Sequence, residues 1–253
     1  MTPYVKPVGA GPDLVLLHGW GVHGGVWNPL VETLTRKFRV HAFDLPGHGY
    51  SSFMPLRGLD EAVDELAAVI PSGSLLCGWS LGGLLAQRIA LRYPARVRAL
   101  ALVSTTPCFV ERRDWPHAMK LETLAGFAAG LRTDFEATLK TFVALNALGG
   151  ANSRPAMRAL AAELLSRGAP DPSALDAGLA IVRDTDLRED APSIAQRSIV
   201  VHGARDALAP IAAGRWLAEN LHDASLVEIA DAAHLPFISH PEAFVSALEA
   251  VNA

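Results

Sequence analysis

The chain has 253 residues, half of them hydrophobic and 19% charged, with a formal net charge of −4 and a pI near 6.1. That length and apolar content suit one large domain with a full core and exclude a disordered or fibrous chain. The acidic balance argues against nucleic-acid binding, and Cys77 and Cys108 are too few for a disulfide framework.

Leu14-Val15-Leu16-Leu17 is the first predicted strand, a short apolar run typical of a strand covered on both faces. It ends in the loop His18-Gly19-Trp20-Gly21. A second strand over 38–43 stops at Asp44-Leu45-Pro46-Gly47-His48-Gly49, and a helix is expected over 59–70. Leu75-Leu76-Cys77 forms the next strand, with Cys77 read as a packed core thiol. Gly78-Trp79-Ser80-Leu81-Gly82-Gly83 follows and leads into a helical pattern over 84–90. A further strand covers 97–103. Strands alternating with helices imply a parallel sheet with right-handed crossovers.

From about residue 107 to 190 the alternation stops. Helices are predicted near 115–129, 134–148, 155–166 and 173–183, separated by Gly, Pro and Asn. Strands resume at 198–202 and 225–229, with a helix over 211–220 between them and a last helix over 241–251. An inserted cap over the binding end of the sheet is the simpler reading of the helical block; a separate helical domain is the alternative. The expected organisation is an α/β core over 1–106 and 191–253, interrupted by a helical cap over 107–190. The first residues, Met1-Thr2-Pro3-Tyr4-Val5-Lys6, lack an apolar signal core, and no apolar run approaches 18 residues. A cytoplasmic protein with no membrane association is expected.

Chemistry concentrates around Ser80. A serine at the apex of a strand–turn–helix, with glycines two residues before and after it, forms a nucleophile elbow. The turn lifts the hydroxyl above the sheet and aims a helix N-terminus at it, though a glycine-rich turn with an incidental serine has the same spelling. A serine hydroxyl needs a base, and the base needs an orienting group. Asp206, in Gly203-Ala204-Arg205-Asp206-Ala207, and His234, 28 residues later in Asp231-Ala232-Ala233-His234-Leu235-Pro236, each follow a predicted strand in the required order. Asp231 competes as the acid but shares a short loop with His234; Asp184 and Asp186 suit the role less well. The amides of Trp20 and Leu81 are the candidate oxyanion donors, and Trp20 offers an aromatic face to a substrate chain. The remaining histidines show no metal-ligand spacing, so no metal is expected; His18 is read as a support for its loop.

Over essentially its whole length the chain resembles the α/β-hydrolases, through His18-Gly19-Trp20-Gly21, Asp44-Leu45-Pro46-Gly47-His48-Gly49, the elbow and His234. More selective are Gly78-Trp79-Ser80-Leu81-Gly82-Gly83, Phe142-Val143-Ala144-Leu145-Asn146 and Ala233-His234-Leu235-Pro236-Phe237-Ile238-Ser239-His240-Pro241. Together these resemble the pimeloyl-[acyl-carrier protein] methyl ester esterases of biotin synthesis, the BioH family. The resemblance implies hydrolysis of the distal methyl ester of a carrier-bound pimeloyl chain, without a cofactor, by a monomer. It implies that Phe142, Val143, Ala144, Leu145 and Asn146 contact the substrate beside Trp20, Ser80, Leu81 and His234. Asn146 stands where that family usually has glutamine, one methylene longer.

The resemblance also implies docking of an acidic acyl carrier protein, through Arg154 and Arg158, with Lys140 nearby. Residues 112–168 hold eight basic residues against five acidic ones, and Arg154 and Arg158 share a helix face. Ala137 and Thr141 stand where two further family arginines would be. A general short-chain esterase or lactonase on the same fold is the nearest alternative reading. A ligand-binding protein with an idle hydrolase fold is the alternative of another class.

Overall fold

A computed structural model describes residues 1–150, 153–164 and 166–253. Six strands, β1 (Asp13–Leu17), β2 (Arg39–Ala42), β3 (Ser74–Trp79), β4 (Val97–Val103), β5 (Arg197–Gly203) and β6 (Ala224–Ile229), form one parallel sheet in the order β2-β1-β3-β4-β5-β6. The inner strands are buried almost throughout, whereas the edge strand β6 is mostly half-exposed, which explains why the inner ones read as continuous apolar runs. Side chains alternate between two apolar layers. Val15, Leu17, Leu76, Leu100 and Val200 face α2 (Leu59–Ala67), α3 (Leu81–Arg92) and α8 (Ile211–Asn220). Leu14, Leu16, Cys77, Ala101 and Val201 face α1 (Asn28–Leu34), the short α9 (Pro236–Ser239) and α10 (Pro241–Asn252). The period of two residues along each strand produces this division. After β1 the chain moves outward to β2, then returns to place β3 on the other side of β1. The loops leaving β1 and β3 therefore flank the crevice where the strand order reverses, the place where open α/β sheets bind ligands.

Among the described residues four α-helices lie between β4 and β5: α4 (Leu121–Thr133), α5 (Phe135–Ala147), α6 (Ser153–Leu164) and α7 (Pro172–Asp184). They are tied to the core at separate points. Trp20 Nε1 donates to the Leu175 carbonyl at 2.9 Å, and the His234 amide donates to the Asn146 carbonyl at 3.1 Å. Arg167 donates to the buried Asp44 carboxylate at 2.8 Å and stacks over Tyr50. Asp44 also accepts the Gly24 and Tyr50 amides, so a charge taken out of water is fully partnered. Among the described residues no helix is long and apolar enough to cross a membrane.

The first helix of this block begins at Leu121, not near 115 as its pattern suggests. Residues 110–119 instead make short bridges, Val110 to Met119 and Arg112 to Trp115. Trp115 is buried with its indole N–H on the Cys108 carbonyl, and Pro116 cannot supply an amide to continue a helix. Helix α2 stops at Ala67, four residues before Pro71. Helix α3 runs longer than its pattern, starting at Leu81, because its first turn carries the elbow glycines that periodicity skips.

The loop after β2 places His48 edge-on against His18, with ring centroids 5.2 Å apart. His48 Nδ1 donates to the Pro46 carbonyl at 2.9 Å, while its Nε2 is buried with no partner among the described residues. Burial, above all, pulls the His48 pKa from 6.5 down to about 4. The neutral ring is the one that fits. Its contribution is therefore complete above pH 6.5 and lost as the pH falls toward 4, by up to about 3 kcal/mol. Urea-unfolding midpoints measured from pH 7.5 to 4 should fall across that window, and His48→Asn, which keeps a donor for Pro46, should flatten the fall.

Candidate active site

The elbow is a backbone constraint before it is a chemical group. Ser80 has φ 54° and ψ −118°, a conformation that side-chain-bearing residues rarely adopt. It persists because the surroundings leave no alternative. A Cβ on Gly78 would stand 2.3 Å from the Gly82 carbonyl oxygen, and one on Gly82 2.5 Å from that of Leu17. Thr105 Oγ1 donates to the Ser80 carbonyl at 2.8 Å, and the Ser80 amide donates to Val103 at 3.0 Å, fastening both sides of the turn. Ser80 thus directly follows β3 and caps α3, its side chain making no hydrogen bond to the helix's own amides.

The loops after β5 and β6 bring Asp206 and His234 together. His234 Nδ1 donates to Asp206 Oδ2 at 2.7 Å, with both side chains buried. Asp206 Oδ1 accepts the Leu208 and Ala209 amides, each at 2.9 Å. Burial alone would raise this carboxyl, but the imidazole's charge and hydrogen bond, with the amides, hold it below the ordinary carboxylate value. Ionised Asp206 fixes the His234 tautomer with the proton on Nδ1. His234 Nε2 is left buried without a partner among the described residues, and the ring borders the same cavity as Ser80. The other candidate acids are engaged elsewhere: Asp231 with His240, Asp184 with Arg183 and Asp186 with Arg188.

The loop after β1 lies against Ser80, since a Cβ on Gly19 would come within 3.3 Å of the Ser80 Cβ. His18 sets that loop: its Nδ1 donates to the Gly19 carbonyl at 2.7 Å and its Nε2 accepts the Leu45 amide at 2.9 Å. Burial, and then the neighbouring His48, keep the ring well below its ordinary pKa, so it stays neutral and can accept. The Trp20 amide follows in this loop, and the Leu81 amide opens α3, where no preceding turn offers a carbonyl. Donors at these two places can hold an oxyanion formed at Ser80.

The cavity over Ser80 is narrow, about 40 Å³, and almost wholly apolar, walled by Trp20, Phe109, Phe127, Phe142, Leu208 and His234. Trp20, Phe127 and Phe142 form an aromatic cluster, with Trp20 and Phe142 centroids 5.0 Å apart and edge-on. Of the segment expected to contact substrate, Phe142 alone borders this cavity. Val143 belongs to the apolar layer that includes Trp79 and Leu160, Ala144 is exposed, and Leu145 borders an outer groove. Asn146 is buried and gives its side-chain amide to the Phe142 carbonyl at 2.7 Å. Helical geometry explains the split, because five consecutive residues point around more than a full turn. Arg154, Arg158 and Lys140 are exposed on α6 and α5.

Two supports escaped the sequence reading. Trp79, inside the elbow motif, donates its indole N–H to the His234 carbonyl at 2.8 Å and so couples the nucleophile turn to the histidine loop. His202, at the end of β5, donates from Nε2 to the Ala209 carbonyl at 2.7 Å and lies 3.6 Å from Asp206 Oδ2. Burial lowers its pKa, leaving a neutral ring that closes the loop whose amides hold Asp206. The spacing His202-x-x-x-Asp206 was the available signal, but only the fold reveals that the ring points inward.

The family model of the alpha/beta hydrolase fold matches residues 12–241. A protein of Chromobacterium violaceum named pimeloyl-[acyl-carrier protein] methyl ester esterase is 46% identical over 248 residues, covering 98% of this chain and 97% of its own. One of the same name from Nitrosospira multiformis is 42% identical over 250 residues, covering 96% and 95%. Among solved structures, an esterase from Exiguobacterium antarcticum superposes with a TM-score of 0.87 at 23% identity over 99% of this chain and 96% of its own, a likeness of fold. The chain therefore belongs to the alpha/beta hydrolases and, within them, to the family of the pimeloyl-[acyl-carrier protein] methyl ester esterases.

Proposed function

We propose that this protein is a serine carboxylesterase that hydrolyses the methyl ester of pimeloyl-[acyl-carrier protein], releasing methanol and the free carboxylate. The observation that carries the ester chemistry is the His234–Asp206 pair beside the strained Ser80, in an apolar cavity at the carboxyl ends of the strands. The substrate assignment rests on the names of full-length relatives at 42–46% identity.

In this reading Ser80 Oγ attacks the ester carbonyl as His234 Nε2 takes its proton. The Trp20 and Leu81 amides hold the oxyanion, and the protonated imidazole is stabilised by ionised Asp206. Collapse of the tetrahedral species expels methanol, which leaves with the proton from His234. Water, deprotonated by the same nitrogen, then releases the acid from the serine ester. Residues 107–190 act as the cap that excludes bulk water from these steps. Arg154, Arg158 and Lys140 are the docking cations for an acidic carrier protein, their field opposed by the chain's net negative charge elsewhere.

Ser80→Ala should lower turnover by about 10⁴-fold or more while leaving the urea-unfolding midpoint close to the parent's. Activity on the carrier-bound methyl ester, compared with dimethyl pimelate at rising salt, tests the substrate. Preference for the carrier-bound ester should weaken as salt screens the docking cations. Efficient cleavage of small esters alone would move the chain to the general esterases. His202→Leu should reduce kcat by about 10–100-fold with little change in KM, because Asp206 and His234 lose alignment without losing a substrate contact. His202→Gln, which retains a donor, should recover much of that loss.

A further inference from the structure

Among the described residues only Ser80 and Ser104 carry a side chain on a left-handed backbone, with φ of 54° and 42°, and Ser104 sits between the two groups that hold Ser80. The Ser80 amide donates to the Val103 carbonyl at 3.0 Å, and Thr105 Oγ1 donates to the Ser80 carbonyl at 2.8 Å. In an extended strand the carbonyls lie within the sheet and the side chains stand perpendicular to it. The left-handed turn at Ser104, just past β4, bends the chain so that a carbonyl at 103 and a side chain at 105 both reach the end of β3. Ser104 Oγ is itself buried without a partner among the described residues, so the strained turn is sustained by its neighbours' bonds and not by its own hydroxyl.

The contact is built from the helix side as well. Gly83 lies outside the spacing that defines an elbow, yet the nearest atoms a Cβ there would meet all belong to Thr105, its hydroxyl included. Gly78 and Gly82 clear backbone; Gly83 clears this one buried side chain. The Gly83 amide shares the Ser80 carbonyl with the Thr105 hydroxyl, at 2.8 Å each, which occupies both lone pairs of that oxygen. The Ser104 amide donates to the Val201 carbonyl at 2.9 Å, and the next residue, His202, closes the loop that carries Asp206. One tripeptide thus links the Ser80 turn to the strand that leads to Asp206.

We propose that Thr105 is a positioning residue for ester hydrolysis: its hydroxyl, aimed by the turn at Ser104 and admitted by Gly83, locks the Ser80 backbone so that Oγ faces the cavity shared with His234. The proposal rests on the serine-esterase reading and deepens it. Thr105 touches no reacting atom. Without its bond the Ser80 turn relaxes toward ordinary backbone angles and Oγ leaves its line to His234 Nε2. Attack then slows while the walls that bind the ester stay in place.

The test combines kcat and KM on p-nitrophenyl butanoate with the rate of phosphonylation by an alkyl fluorophosphonate. In that reaction Ser80 Oγ displaces fluoride from phosphorus and its proton passes to His234. Thr105→Val keeps the shape and deletes the donor; it should lower kcat and phosphonylation about 10–100-fold with KM within about twofold of the parent. Thr105→Ser, which restores the donor, should stay within about threefold of the parent. Thr106→Val deletes an equally buried hydroxyl that bonds only around Cys108; it should lower the urea midpoint and leave both rates within about twofold. Gly83→Ala should act as Thr105→Val does, and the double variant should be no slower than the slower single, because both changes break one bond. Where Thr105→Val does not fold, Thr105→Cys makes the comparison with Thr105→Ser: its thiol is a weak donor, and it should be slower by about threefold or more. Parental rates in Thr105→Val, equal losses in Thr105→Ser and Thr105→Val, or a comparable loss in Thr106→Val would each overturn the proposal. So would additive losses in the double variant, or equal rates for Thr105→Cys and Thr105→Ser. A parent inert to the fluorophosphonate would remove the serine-esterase reading, and the proposal with it.

Discussion

The positive φ of Ser80 is the constraint on which the rest of the site depends. A side chain in that conformation is strained, and the strain is sustained because Gly78, Gly82 and Gly83 let β3, α3 and the β1 loop close to within contact distance. The consequence is directional. The hydroxyl stands clear of both strand and helix, while the first amide of α3 remains open beside it. Neighbouring groups then converge on that fixed point: Gly19 approaches from β1, Thr105 from β4, and Trp79 reaches across to the histidine loop. A substitution that relaxed the turn would therefore disturb four strands' worth of loops together.

The acid–histidine pair is built by a different means. Two loops that are 28 residues apart meet, and each is stiffened from behind. Asp206 spends one carboxylate oxygen on backbone amides and the other on His234, so both its position and its charge are set before a substrate arrives. His202 closes the same loop as a neutral donor. Burial has opposite effects on these groups: it favours neutral His202, while Asp206 remains ionised because enough donors surround it. The cap contributes as well, since the His234 amide is held by the Asn146 carbonyl at the end of α5. The helical block and the histidine loop are thus mechanically joined, and motion of α5 bears directly on His234.

The buried polar cluster around Asp44 gives the helical block a second attachment. Arg167, Gly24 and Tyr50 satisfy its carboxylate, so the chain just beyond α6 is anchored to the β2 loop on one side. Trp20 anchors α7 on the other through Leu175. Between these anchors α4 is held chiefly by apolar contacts to α5 and α7.

Much of this was legible in one dimension. The order strand, elbow, strand, helical block, strand, acid, strand, histidine follows from apolar runs and turn residues, because strands covered on both faces cannot hide their composition. Ser80, Asp206 and His234 were readable as candidates since each stands just past such a run, and Leu81 and Trp20 followed from their places beside the turn. Less visible was whatever depends on side-chain direction. Residues 115–120 scan as the start of a helix, yet Trp115 turns inward to Cys108. The five residues 142–146 form one motif in sequence but face five environments in space. His202 and Trp79 look like ordinary strand residues until their rings are seen to hold the acid and histidine loops. The sequence by itself determined which groups are present and in what order the strands deliver them, because periodicity and turn chemistry are local. Only the tertiary structure decided which acid meets the histidine, which cap residues border the cavity and how narrow that cavity is, because those outcomes depend on packing between segments far apart in the chain.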